Sequence, residues 1–320
     1  MPQGFTGAAR LLLLAQFGAV VFAFPQTSEG PIEIIPRAVP KAESAVLRVD
    51  SSLVLIPVHV TTAAGASVTS LRKEDFELFE DGVKQTITHF AQDDAPLSAG
   101  VLLDVSGSMR NKMAKASEAA SQFFKFANPE DEFFLVEFNG RARLAVPFTR
   151  EWPGIASQIA AAKPSGMTAM LDGIHLAIAQ MKHAQHTRKA LVVISDGGDN
   201  FSRRRLRELK ANLIESDVQV YSLGVVDNDY SVKHTPEERN GPTLLDQVAL
   251  DTGGRTFPVS LDALPQIGAQ IARELRDQYV LGYSPAAATD GKYHRVNLKL
   301  APPAAESELR TYYRQGYYAR

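Results

Sequence analysis

The hydrophobic pattern of the chain changes rhythm twice. In LRVDSSLVLIPVHVTT, apolar and polar positions alternate around Val54, Ile56, Val58 and Val60, the period of a strand buried on one face. FELFEDGVKQTITHF, residues 76–90, predicts a hairpin turning at Asp81-Gly82, a dipeptide that tolerates positive φ. Residues 46–95 are thereby predicted to form a small antiparallel β unit, marginal alone and expected to recruit strands from elsewhere. The middle then reads differently. SAGVLLDVS, residues 98–106, is a continuous apolar run, as expected of a strand covered on both faces. A helix over 111–127 follows, then a strand over 132–139 that pairs with RARLAVPFT through Asn139-Gly140. Helices over 171–184, 203–216, 243–252 and 261–277 alternate with strands over 189–196, 218–226 and 254–259. This alternation predicts an α/β fold over 96–277, a doubly wound, mostly parallel sheet with helices on both faces. After 277 the β rhythm returns, with strands over 278–285, 292–300 and 311–318. These strands, 278–320, are expected to complete the N-terminal unit. The α/β fold is then an insertion in a small antiparallel β unit built from both chain ends.

Ahead of the first strand, Arg10 precedes LLLLAQFGAVVFAF, an apolar run of about 14 residues that ends at Pro25. With the small-residue signal at Val21-Phe22-Ala23, residues 1–23 read as a secretory signal peptide, too short for a membrane span. Residues 24–45, with Pro25, Pro31, Pro36 and Pro40, read as a linker. The mature chain is expected to be exported, without an integral membrane span, and periplasmic, surface-bound or secreted. A net charge of -2, from 34 basic and 36 acidic residues, argues against a nucleic-acid or anionic-membrane partner. Cysteine is absent, which excludes disulfides, thiolate metal sites and a thiol nucleophile.

Ligands of open α/β sheets bind at the carboxyl ends of the strands. Three segments carry oxygen donors there or beside it: Asp104-Val105-Ser106-Gly107-Ser108, the loop Pro164 to Thr168, and Ser195-Asp196-Gly197-Gly198-Asp199. Asp104, Ser106, Ser108, Thr168 and Asp196 make a hard oxygen set suited to Mg²⁺, with Mn²⁺ or Ca²⁺ as substitutes. Taken one at a time, Asp104, Ser106, Ser108 and Thr168 each also read as a helix cap, and Asp196 and Asp199 as turn formers. Neutral hydroxyls in the coordination shell leave the ion electrophilic, which favours an Asp or Glu carboxylate supplied by another protein.

DVSGS, SGMTAMLDGI and LVVISDGGDN resemble the three motifs of a von Willebrand factor type A domain, over about residues 96–275. FELFEDG and LRDQYVLGYSP resemble the acidobacterial VWFA-related proteins. The resemblance implies a Rossmann-like fold and a metal-ion-dependent adhesion site. Ser106, Ser108 and Thr168 would contact the metal, and Asp104 and Asp196 would act through water. It also implies a non-enzymatic binding module used in adhesion or assembly, whose last helix is coupled to coordination.

The alternative is a haloacid-dehalogenase-like phosphatase using Asp104 as nucleophile. That chemistry wants a second Asp two residues later, where this chain has Ser106. His175, His183 and His186 read as solvated helix residues, not as a zinc site. Arg203, Arg204, Arg205, Arg207 and Lys210 read as a solvated helix face. Asp172 reads as structural. The oligomeric state is left open by the sequence.

Overall fold

The computed structural model describes residues 53–92, 94–226, 235–285 and 290–319, so the predicted signal peptide 1–23 and linker 24–45 lie outside the described residues. In chain order the strands and α-helices are β1 (Val54–Thr62), β2 (Phe76–Glu80), β3 (Val83–Gln85), β4 (His89–Ala91), β5 (Leu97–Asp104), α1 (Met113–Phe124), β6 (Glu132–Phe138) and β7 (Ala142–Thr149). They continue as α2 (Trp152–Ala161), α3 (Met170–Met181), β8 (Arg188–Ser195), α4 (Leu206–Ser216), β9 (Gln219–Val226), α5 (Pro236–Ala249), β10 (Thr256–Ser260) and α6 (Leu264–Arg276). The last four are β11 (Tyr279–Tyr283), β12 (Tyr293–Leu300), β13 (Leu309–Tyr313) and β14 (Gly316–Tyr318).

The central sheet runs β10-β9-β8-β5-β6-β7, parallel except for the edge strand β7. Every residue of β5 is buried, as the unbroken apolar run requires. Its Leu97, Ala99, Val101 and Leu103 face a core built with α1, α2 and α6, while Leu102 faces a second core built with α3, α4 and α5. The expected doubly wound sheet is thus the one observed. Two helices depart from the expected pattern. α2 was not anticipated, although Pro153 in its first turn and buried Ile155 and Ile159 one turn apart suit a helix. α5 begins at Pro236, ahead of the expected start at 243, and carries Pro242 inside it.

The remaining strands form two four-stranded antiparallel sheets, β13-β1-β11-β4 and β14-β12-β2-β3, around one apolar core that includes Ile56, Val58, Leu78, Leu281 and Val296. β1 pairs with β11 and β13, and β2 with β12, so strands from before and after the parallel sheet interleave. The hairpin predicted over 76–90 stops at Gln85, where Asp81 (φ 47°) and Gly82 (φ 85°) make the two-residue turn and β4 crosses to the other sheet. The strand predicted over 311–318 is likewise two strands. It breaks at Arg314, whose guanidinium donates to Leu55 O and pairs with Asp217, and β13 and β14 then serve different sheets.

Candidate functional site

β5 and β8 are parallel neighbours in register at Leu103 and Ile194, so their carboxyl ends set Asp104 beside Ser195 and Asp196. Asp104 is fully buried. Its Oδ1 accepts the Ser106 N–H at 2.8 Å and its Oδ2 accepts the Ser195 hydroxyl at 2.6 Å. The Ser106 and Ser108 hydroxyls lie 3.1 Å apart. Backbone bonds pin the third segment against this turn. Ser165 N–H donates to Val105 O at 2.8 Å, and Gly107 N–H donates to Gly166 O at 3.0 Å. Thr168 is buried, its N–H donates to Asn200 Oδ1, and its carbonyl accepts the N–H groups of Asn200 and Phe201. All three segments therefore meet at one end of the sheet.

The capping alternatives do not describe these side chains. α1 has Lys112 and α3 has Ala169 at the capping position, neither making a side-chain cap bond, and Ser106 ahead of the short 3₁₀ turn makes none either. α3 is capped from a distance instead. Asp199 Oδ1 accepts the Met170 N–H at 2.8 Å and the Ser202 hydroxyl at 2.6 Å. Asp172 accepts the backbone N–H groups of Arg203 and Arg204, which makes it structural as expected.

The electrostatics are unbalanced toward negative charge. Asp196 Oδ2 is paired with Lys112 Nζ at 2.9 Å, with side-chain exposures of only 6% and 10%. Asp196 Oδ1 is buried without a hydrogen-bond partner. Burial, with the Asp196 charge adding to it, pushes the Asp104 carboxyl up to about 7 against the opposing bonds from Ser106 and Ser195. Gly197, at φ 81°, lets the loop after Asp196 run against Gly241 of α5, where a Cβ on either residue would meet backbone.

Sequence reasoning missed Lys112 and named Ser195 only as part of its segment. Ser195 ends a buried strand immediately before Asp196 and could have been suspected; Lys112 gave no local signal. Asn139 and Asn200 also hold the central loop, through Ser165 O and Thr168 N–H. Around Thr168 the surface exposes two large apolar side chains, Met167 (47%) and Phe201 (52%), and Arg203, Arg204 and Arg205 are exposed just beyond. The helix histidines do not gather. His175 contacts Asn212, His186 contacts Glu130 O, and His183 is exposed.

Residues 101–198 match the family model of the von Willebrand factor type A domain. Among solved structures, a von Willebrand factor type A protein from Catenulispora acidiphila aligns with a TM-score of 0.51 and 14% identity, over 73% of this chain and 72% of that one. An aerotolerance-related membrane protein from Bacteroides fragilis aligns at a TM-score of 0.46 and 20% identity, over 56% of this chain and 98% of that one. The vWF domain of a type V pili tip protein from Porphyromonas gingivalis aligns at 0.46 and 12%, over 56% and 95%. No curated protein matches the chain. The matched segment holds Asp104, Ser106, Ser108, Thr168 and Asp196 and spans the centre of the parallel sheet, so this part of the chain is similar to a von Willebrand factor type A domain.

Proposed function

We infer that the protein is an exported binding module that captures a partner protein through a divalent cation, Mg²⁺ first and Mn²⁺ or Ca²⁺ as substitutes. Ser106, Ser108 and Thr168 would supply neutral oxygens, and Asp104 and Asp196 the negative charge. The observation that carries this reading is Asp196 Oδ1, a buried carboxylate oxygen with no partner at the meeting point of three hydroxyl-bearing segments. A buried carboxylate oxygen left without a partner is costly, and a cation is a group that relieves it. Oxygen-only donors of mixed charge suit a hard ion that keeps some of its waters. The bound ion would supply an open coordination position for a partner's Asp or Glu. Exposed Met167 and Phe201 would add apolar contact, and Arg203 to Arg205 would steer an acidic surface toward it.

The phosphatase alternative gains nothing from this geometry. A nucleophilic carboxylate needs a free, accessible oxygen, whereas both Asp104 oxygens are engaged and the residue is wholly buried. Export is supported by the sequence of residues 1–23. No helix among the described residues is long and apolar enough to cross a membrane.

The test is affinity capture from envelope and culture fractions on the immobilised protein in Mg²⁺. Partners that elute with EDTA and fail to bind Ser106→Ala and Asp104→Ala support the reading. Binding indifferent to EDTA and to both substitutions rejects it.

A further inference from the structure

We propose that Glu80, Asp81 and His294 form a second divalent-metal site, of the zinc class, in the β unit. Glu80 pairs with Val296 across β2 and β12, and His294 lies two residues before Val296, so both side chains fall on one face. Asp81 follows in the tight turn, with its Oδ1 fixed by the Arg295 N–H at 2.8 Å. One ligand atom from each residue lies within 4.8 Å of the other two. His294 Nδ1 is 2.8 Å from Asp81 Oδ2 and 3.5 Å from Glu80 Oε1. An imidazole nitrogen with two carboxylates, open to solvent at half-exposed Asp81, is a three-ligand set that leaves a fourth position for water.

The surroundings are those of an oriented ligand set. The other ring nitrogen of His294, Nε2, is 3.0 Å from Asp290 Oδ1, the carboxylate–imidazole arrangement that aims a metal-binding histidine. Glu80 Oε2 accepts the Tyr317 hydroxyl at 3.0 Å. An independent observation concerns Tyr283. It is fully buried, and its hydroxyl lies against Glu80 and Tyr317, a further polar group turned toward the Glu80 carboxylate. Three carboxylates surround one imidazole, and the Lys292 ammonium, exposed, stands 3.6 Å from Asp290. A divalent ion offsets this excess charge and ties β2, its turn and β12 together. The competing description is an imidazolium bridging the carboxylates with no metal at all.

The two are separated by Zn²⁺ titration calorimetry on the full chain carrying Asp104→Ala, which removes the hydroxyl-rich site from the measurement. One Zn²⁺ per chain is expected. Binding should be lost in His294→Gln and in Asp81→Asn, and weakened about 10–100-fold in Asp290→Asn. Metal-free circular dichroism checks that each variant is folded; Asp81, half-exposed, decides the matter if His294→Gln is not. Absence of saturable Zn²⁺ binding to the Asp104→Ala protein overturns the proposal. So does unchanged binding in a folded Asp81→Asn protein.

Discussion

Replacing Lys112 with Met removes the side-chain partner that Asp196 has among the described residues, while keeping a chain of similar length in the same buried space. Both side chains are nearly inaccessible, and Asp196 Oδ1 is already without a hydrogen bond, so the substitution strands a whole carboxylate. Breaking a buried ion pair from one side costs about 3–5 kcal/mol, because the surviving charge stays desolvated. Asp104, pushed up first by its own burial and then by the Asp196 charge, is a second buried carboxyl at the same place. In EDTA the variant should therefore lose about 3–5 kcal/mol in urea unfolding, or on the order of 10 °C in thermal midpoint. Under the proposed function, a divalent ion beside the two carboxylates would supply the missing positive charge. Saturating Mg²⁺ at about 100 times its dissociation constant stabilises a folded state by about 2.7 kcal/mol, and this gain should be larger in Lys112→Met than in the parent. The assay is urea unfolding followed by circular dichroism, for both proteins, in EDTA and in Mg²⁺. A Lys112→Met protein within about 1 kcal/mol of the parent in EDTA refutes the reasoning about the buried pair. An equal loss in EDTA and in Mg²⁺ refutes the shared-ion part of it.

Other consequences follow from single contacts. Asp199→Ala should cost about 1 kcal/mol by leaving the Met170 N–H uncapped, read as a lower urea midpoint. Gly241→Ala places a methyl group against the Asp196 and Gly197 backbone and should cost about 1–3 kcal/mol while weakening any Mg²⁺-induced stabilisation. His59 is held neutral, with its pKa lowered to about 3 from 6.5, first by burial and then by the Arg255 guanidinium. The unfolded chain therefore binds a proton that the folded chain refuses. Stability is full above pH 6.5 and is lost as pH falls from there toward 3, approaching about 1.4 kcal/mol per unit. Urea midpoints between pH 7.5 and 5 should show that fall in the parent and a shallower one in His59→Gln; parallel curves contradict it.

Where the sequence was legible, a local pattern sufficed. β5 and β8 are continuous apolar runs that end in Asp104 and in Ser195-Asp196, and a parallel sheet is the architecture that buries such strands on both faces. Thr168 was readable because a Gly-containing loop sits immediately before an apolar-periodic helix. The β unit was legible as strands but not as sheets. Nothing local to 76–90 says that β4 leaves its hairpin, and nothing in 311–318 marks Arg314 as a crossing point until Leu55 and Asp217 are seen to bind it. Lys112 was hidden for a similar reason. It stands on the solvated-looking start of α1, and its burial depends on a carboxylate 84 residues away. Asp199 was ambiguous because a Gly-Gly-Asp turn and a distant helix cap share one sequence pattern, and contact with Met170 alone distinguishes them.

The proposed function requires separate segments to aim their oxygens at one hard cation. Crystals grown with Mn²⁺ and measured for anomalous scattering test it directly. The account predicts a peak in contact with the Ser106, Ser108 and Thr168 hydroxyls, on the side of the unpartnered Asp196 oxygen, that disappears in Ser106→Ala. A Mn²⁺-soaked parent protein with no peak at that junction, or a peak unchanged in Ser106→Ala, contradicts it.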